Sequence, residues 1–124
     1  MTNVKNAINW FEIPATNIDR AMKFYSTVLA TKLQTMEFEG SKMCMLSADK
    51  QGVSGCLIEG NGAVPSENGT IVYLDGGDDL STPLNRVTTA GGKIVMPKTS
   101  IGEHGFCAQF IDSEGNRVAF HSMK

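Results

Sequence analysis

The stretch Ile111-Asp112-Ser113-Glu114-Gly115-Asn116-Arg117-Val118-Ala119-Phe120-His121 reads as a strand, a tight turn and a second short strand. Apolar and polar residues alternate on both sides of Glu114-Gly115-Asn116, the pattern of a half-buried antiparallel pair. Gly115 and Asn116 are residue types that accept positive φ at low cost, which suits a hairpin turn. Alone this is one hairpin. Its weight comes from a fainter copy half a chain earlier. Asp49-x-x-Gly52 falls on Asp112-x-x-Gly115 at an offset of 63, and Cys44 then falls on Cys107.

Working outward, the elements repeat in the same order. Residues 7–14 alternate as a strand, with Ile8, Trp10 and Glu12 on one side, Phe11 and Ile13 on the other, and Pro14 ending it. Thr16, Asn17 and Asp19 supply an N-cap and an acidic first turn. Ile18, Met22, Tyr25 and Leu29, beside Ala21 and Val28, form one helical face. Strands are expected at 33–39, 42–47 and 54–58, and the Gly/Pro/polar run 60–69 is the connector. The second half follows with a strand at 70–74, a turn at Asp75–Asp79 that can cap a helix, and a helix carrying Leu80, Leu84 and Val87. Pro83 is tolerable in that helix's first turn and Gly91-Gly92 stops it. A short strand at 93–96 precedes Pro97, a loop runs from 98 to 105, and Phe106 opens the closing hairpin.

Ile18, Met22 and Tyr25 fall on Leu80, Leu84 and Val87 at an offset of 62. Self-similarity at half the chain length predicts two tandem βαβββ modules, about 5–60 and 70–124, in a single α+β domain. One such module buries too little surface to be comfortable alone, and its sheet has one face covered by the helix and one bare. Two sheets are therefore expected to pair, within the chain or across a homodimer, and to form a curved mixed sheet around a cleft. Clefts between modules are where small ligands bind.

Composition narrows the function classes. Hydrophobic content of 41% and charged content of 19% describe a soluble globular chain. A net charge of -2 without a cluster of Lys and Arg argues against nucleic acid and anionic membrane as partners. Cys44, Cys56 and Cys107 are odd in number and lack Cys-x-x-Cys spacing, so neither a disulfide scaffold nor a structural zinc site is expected. No signal-peptide pattern and no stretch of membrane-spanning length is visible, which gives a cytoplasmic expectation.

Trp10-Phe11-Glu12-Ile13-Pro14 followed by Asp19-Arg20-Ala21-x-x-Phe24-Tyr25 resembles the opening strand and helix of the vicinal oxygen chelate superfamily. This superfamily includes glyoxalase I, extradiol dioxygenases and the fosfomycin- and bleomycin-resistance proteins. Ala90-Gly91-Gly92-Lys93, Ile101-Gly102-Glu103-His104-Gly105 and Asp112 to Arg117 resemble the second module of its glyoxalase-like members. The resemblance implies the paired βαβββ fold and, in enzymatic members, a divalent metal held by His, Gln or Glu on the first and fourth strand of each module. Here those slots fall on Trp10, Cys56, Thr70 or Val72, and Ala119. Indole, methyl and isopropyl groups cannot ligate a hard divalent ion, a neutral hydroxyl does so poorly, and a lone thiol does not assemble a site. No cofactor is therefore expected, the alternative being a divalent metal in an atypical arrangement.

The remaining residues define the readings to be separated. Trp10 is either core or an aromatic wall for a planar ligand. Glu12, on the same face, is a ligand contact, a general base, half of a buried pair, or a solvated carboxylate. His121 shares the face of Ala119, where it could pair with Glu12 as an acid/base or simply meet solvent. His104 lies in a loop that in the family closes over one end of the cleft. Met45 is core or adaptable wall, and the cysteines are expected to be inert buried thiols. Three functions follow in order: binding of a small organic molecule in an apolar cleft, as in bleomycin resistance; a metal-dependent lyase, isomerase or dioxygenase with an atypical site using Glu12, His121 and His104; and a structural or regulatory dimer module.

Overall fold

Two βαβββ units follow each other in the chain, in the order the repeat predicts. The computed structural model describes residues 6–47, 49, 51–60 and 62–124. The start of the first unit near residue 5, Lys50 of the 49–52 turn and Asn61 of the connector lie outside the described residues. The first unit comprises β1 (Trp10–Pro14), α1 (Ile18–Val28), β2 (Thr35–Phe38), β3 (Ser41–Met45) and β4 (Ser54–Glu59). The second comprises β5 (Val72–Asp75), α2 (Ser81–Leu84), α3 (Val87–Ala90), β6 (Lys93–Ser100), β7 (Phe106–Ile111) and β8 (Arg117–Ser122). Each unit makes one four-stranded mixed sheet, ordered β1-β4-β3-β2 and β5-β8-β7-β6, with the first strand parallel to the last.

Matched hydrogen bonds show the repeat more firmly than the sequence does. Ala15 donates its amide to the Ile58 carbonyl (2.8 Å), and Gly76 does the same to His121 (2.7 Å). The amide of Ile18, at the start of α1, is capped by the Glu59 carboxylate (2.8 Å), and that of Leu80 by the Ser122 hydroxyl (2.9 Å). The last residue of each sheet thus satisfies an orphan amide at its own module's helix start.

Both units contribute to one core. Ala21, Phe24, Tyr25 and Val28 of α1 are buried with Leu80, Leu84 and Val87 around the second helical segment and with Phe110, Val118 and Phe120 of the second sheet. The Phe24 ring lies 6.1 Å from Phe110, which lies 5.1 Å from Phe120. Arg86 donates to the carbonyl of Val28 at the end of α1 (2.9 Å). At Gly55, opposite Phe11, a Cβ would meet the Phe11 carbonyl and ring, so only glycine lets the first strand and its neighbour close up.

The closing turn joins the units. Glu114 accepts from the amides of Thr16 (2.9 Å) and Asn17 (2.8 Å) ahead of α1, and from Arg20 Nε (2.6 Å). Asp112 accepts the Tyr25 hydroxyl (2.7 Å) and the amides of Glu114 and Asn116 (both 2.9 Å). Asn116 donates to the Pro14 carbonyl (2.7 Å). Burial, with the nearby Asp112 charge, pushes the Tyr25 hydroxyl well above its usual pKa. Burial opposes ionisation of Glu114, but the Arg20 bond, the Asn17 and Thr16 amides and the Ser113 hydroxyl outweigh it and hold the carboxyl below its ordinary value. A depressed carboxylate stabilises the fold above its unfolded pKa of about 4.3 and loses that contribution as pH falls through the folded value. Glu114→Gln should therefore lower the urea midpoint at pH 7, and the gap to the wild type should shrink at pH 3.

Three expectations are corrected. The second helix is two short segments, because the bonding tightens to a three-residue turn at Arg86, whose amide bonds the Pro83 carbonyl. The strand expected to stop before Pro97 runs to Ser100, with register shifts on either side of Met96; it is an edge strand, where a missing N–H is tolerated. The 98–105 loop is correspondingly reduced to a 3-10 turn at Gly102–His104. Finally, β1 starts at Trp10, leaving Ile8 exposed ahead of it.

Candidate functional site

Strand register sorts the residues on the faces turned away from the helices. On the first sheet, Trp10 and Glu12 share their face with Cys56, Met45, Met43, Met36 and Phe38. On the second, Tyr73 pairs with Ala119 and Asp75 with His121, while Ala119 and His121 stand opposite Gln109 and Cys107. The first wall is apolar and rich in methionine; the second is polar. Between the first strands of the two units lies a groove of about 1360 Å³, lined by Trp10, Glu12, Leu46, Ile71, Tyr73 and Asp75 among others. A second cavity of about 640 Å³ lies beyond β5, between Tyr73, Asp75, Asp78 and His121.

Trp10, Glu12, Thr70 and Val72 all line the larger groove. Trp10 is 42% exposed, so its ring is available as a wall. Its indole N–H points to the Glu12 carboxylate at 3.5 Å, a long contact. Glu12 and His121 do not pair. His121 instead brings Nε2 to 2.6 Å from the His104 carbonyl, pinning the 102–104 turn to β8. The His104 ring itself is exposed, 3.7 Å from the Glu103 carboxylate. Cys56 and Ala119 lie on the inner face yet are fully covered, and Met45 is half-buried; none of the three lines either cavity.

The first-strand slot of the second unit is also corrected. Val72 turns toward Val118 and packs against the core, and Thr70 precedes the strand. Ala15 and Gly76 are matched by their hydrogen bonds and are 61 residues apart. At that odd offset Trp10 falls on Ile71, and Glu12 on Tyr73. An odd shift exchanges the two faces of a strand, which is why counting by 60 or 62 selected the wrong residues. Tyr73 was missed for this reason.

The four slots therefore carry Trp10, Cys56, Ile71 and Ala119, a set that does not fit a divalent ion. Among the described residues no three His, Cys, Asp or Glu side chains stand close enough to hold one. Burial raises the Cys56 thiol to about 11, with the charge of Glu12 and the neighbouring Cys44 adding to it. Its thiolate is scarce at neutral pH, so Cys56 is expected not to react with a disulfide reagent at pH 8 until urea unfolds the protein.

The sequence model of the Glyoxalase/Bleomycin resistance protein/Dioxygenase superfamily matches residues 7–120, and the chain belongs to that superfamily. A glyoxylase-like domain-containing protein of Didymella fabae is 34% identical over 121 residues, covering 90% of each chain. Among solved structures, a glyoxalase/bleomycin resistance protein/dioxygenase family enzyme from Burkholderia phytofirmans PsJN superposes with a TM-score of 0.67 at 14% identity, over 94% of this chain and 98% of the other. TnmS3, an antibiotic binding protein from Streptomyces sp. CB03234, gives 0.63 at 17% identity over 98% of both chains. At these identities the structural matches speak for the fold.

Proposed function

We propose that this protein binds a small, largely apolar organic molecule in the groove between the two first strands, with Trp10 as its aromatic wall. One observation carries the reading: the slots where enzymatic relatives hold a metal present Trp10, Cys56, Ile71 and Ala119, while the Trp10 ring stands half-open in a groove of ligand size. The antibiotic-binding neighbour lends support as a fold of this kind used for binding. We also propose a cytoplasmic protein, and the exposed Met36 and Phe38, which leave part of the first sheet's face apolar, favour a homodimer.

Trp10 is the only tryptophan, so its emission reports on the groove directly. Titration with 8-anilinonaphthalene-1-sulfonate should quench it saturably, and Trp10→Ala should weaken dye binding about tenfold or more through lost apolar contact. Unchanged Trp10 emission at saturating dye would overturn the reading. So would a stoichiometric divalent metal in the purified protein that is lost in Glu12→Gln, an outcome that would favour the metal-dependent alternative.

A further inference from the structure

The inner face of the second sheet carries a chain of side-chain hydrogen bonds with a fixed direction, which ends at the groove on Tyr73. Arg117, at the start of β8, donates from Nη1 to the Gln109 Oε1 atom at 3.1 Å, and from Nε to the Glu67 carbonyl at 3.2 Å. An arginine has no acceptor, so the Gln109 atom facing it must be the amide oxygen. The other end of that amide, Nε2, therefore faces the Tyr73 hydroxyl, at 3.3 Å, and can only donate to it. A phenolic oxygen engaged as an acceptor keeps its own proton for another partner. Tyr73 is 49% exposed and lines the groove with Trp10 and Glu12.

From this geometry we infer that Tyr73 is a ligand-orienting residue that presents a hydrogen-bond donor to the groove, so that the preferred ligand is a flat apolar molecule carrying an acceptor oxygen, such as a carbonyl. Arg117 and Gln109 act through it as positioning residues. A fixed positive charge at the head of the chain polarises each successive bond in the same sense. Across the groove, Trp10 and Leu46 take the apolar body. This inference rests on the groove being a binding site, as proposed above, and adds which chemistry the site selects.

Equilibrium dialysis with two probes of one shape separates the claims: 1-acetonaphthone carries an acceptor oxygen, and 1-isopropylnaphthalene carries none. The wild type should prefer the ketone. Tyr73→Phe should weaken the ketone about fivefold, the worth of one neutral hydrogen bond, and leave the hydrocarbon unchanged within twofold. Gln109→Glu is the sharper test, because it keeps the tyrosine. A carboxylate there accepts from both Arg117 and Tyr73, turning the hydroxyl proton away from the groove, so this variant should lose the ketone preference as Tyr73→Phe does. If both probes bind and Gln109→Glu keeps the wild-type preference, the donor assignment is wrong while the binding reading stands. If neither probe binds the wild type, both are wrong.

Discussion

Asp112→Ala is expected to cost about 3–5 kcal/mol of folding free energy, because several buried donors lose their acceptor at once. The carboxylate is 4% exposed and accepts four hydrogen bonds, from Tyr25, Glu114 and twice from Asn116. Truncation leaves the fully buried Tyr25 hydroxyl without its partner, and each stranded donor costs on the order of 1–3 kcal/mol. It also loosens Asn116, which holds the end of β1 through Pro14, and Glu114, which holds the start of α1. Tyr25→Phe removes only one bond and leaves an anion with three donors, so about 1–2 kcal/mol is expected. Urea denaturation followed by circular dichroism checks both. A loss under about 1 kcal/mol for Asp112→Ala would mean that the turn closes a hairpin without clasping the units.

That clasp explains what could and could not be read from the sequence. The turn was legible because Asp, Gly and Asn at fixed spacing have few other uses, and its copy at Asp49 and Gly52 exposed the repeat. Its long-range role was not legible. Asp49 also caps a local turn, its carboxylate accepting the Gln51 amide at 2.8 Å, but the counterpart of Tyr25 is Val87, which has no hydroxyl to offer. Only one of the two turns can hold the opposite unit, and a spacing argument treats them alike. The same limit applied to β5. Turn motifs and helix faces repeat at 62 or 63, whereas the first strands repeat at 61, because the extra residue sits in the Asp75–Asp79 turn between them. A helix face survives a slip of one position, since neighbours at three and four both lie on it. A strand does not, and so Tyr73 and Asp75 were hidden behind Thr70 and Val72. Trp10 and Glu12 needed no such count, since alternation from Pro14 backwards places them on the same face.

The second large effect is expected at Phe110. Its side chain is fully buried between Phe24 of the first unit and Phe120 of its own, so Phe110→Ala should cost about 3–5 kcal/mol in lost burial and an unfilled cavity. The consequence reaches further than the second sheet. Phe24 comes from α1, whose remaining buried residues cover the first sheet through Ile13 and Leu57, so a cavity beside it weakens the packing of both units at once. Two halves that share a core and a clasp should unfold as one. Trp10 lies in the first unit, and far-UV circular dichroism reports on both, so the two signals provide independent probes. In wild type and in Phe110→Ala alike they should change at the same urea concentration, with the variant's midpoint shifted down and its slope retained. If Trp10 emission instead kept its wild-type midpoint while the circular dichroism signal split into two steps, the aromatic contact between α1 and the second sheet would not be coupling the units. Coincident transitions would identify Phe24, Phe110 and Phe120 as the point where a duplicated sequence becomes a single cooperative structure, with the groove as the seam left between its halves.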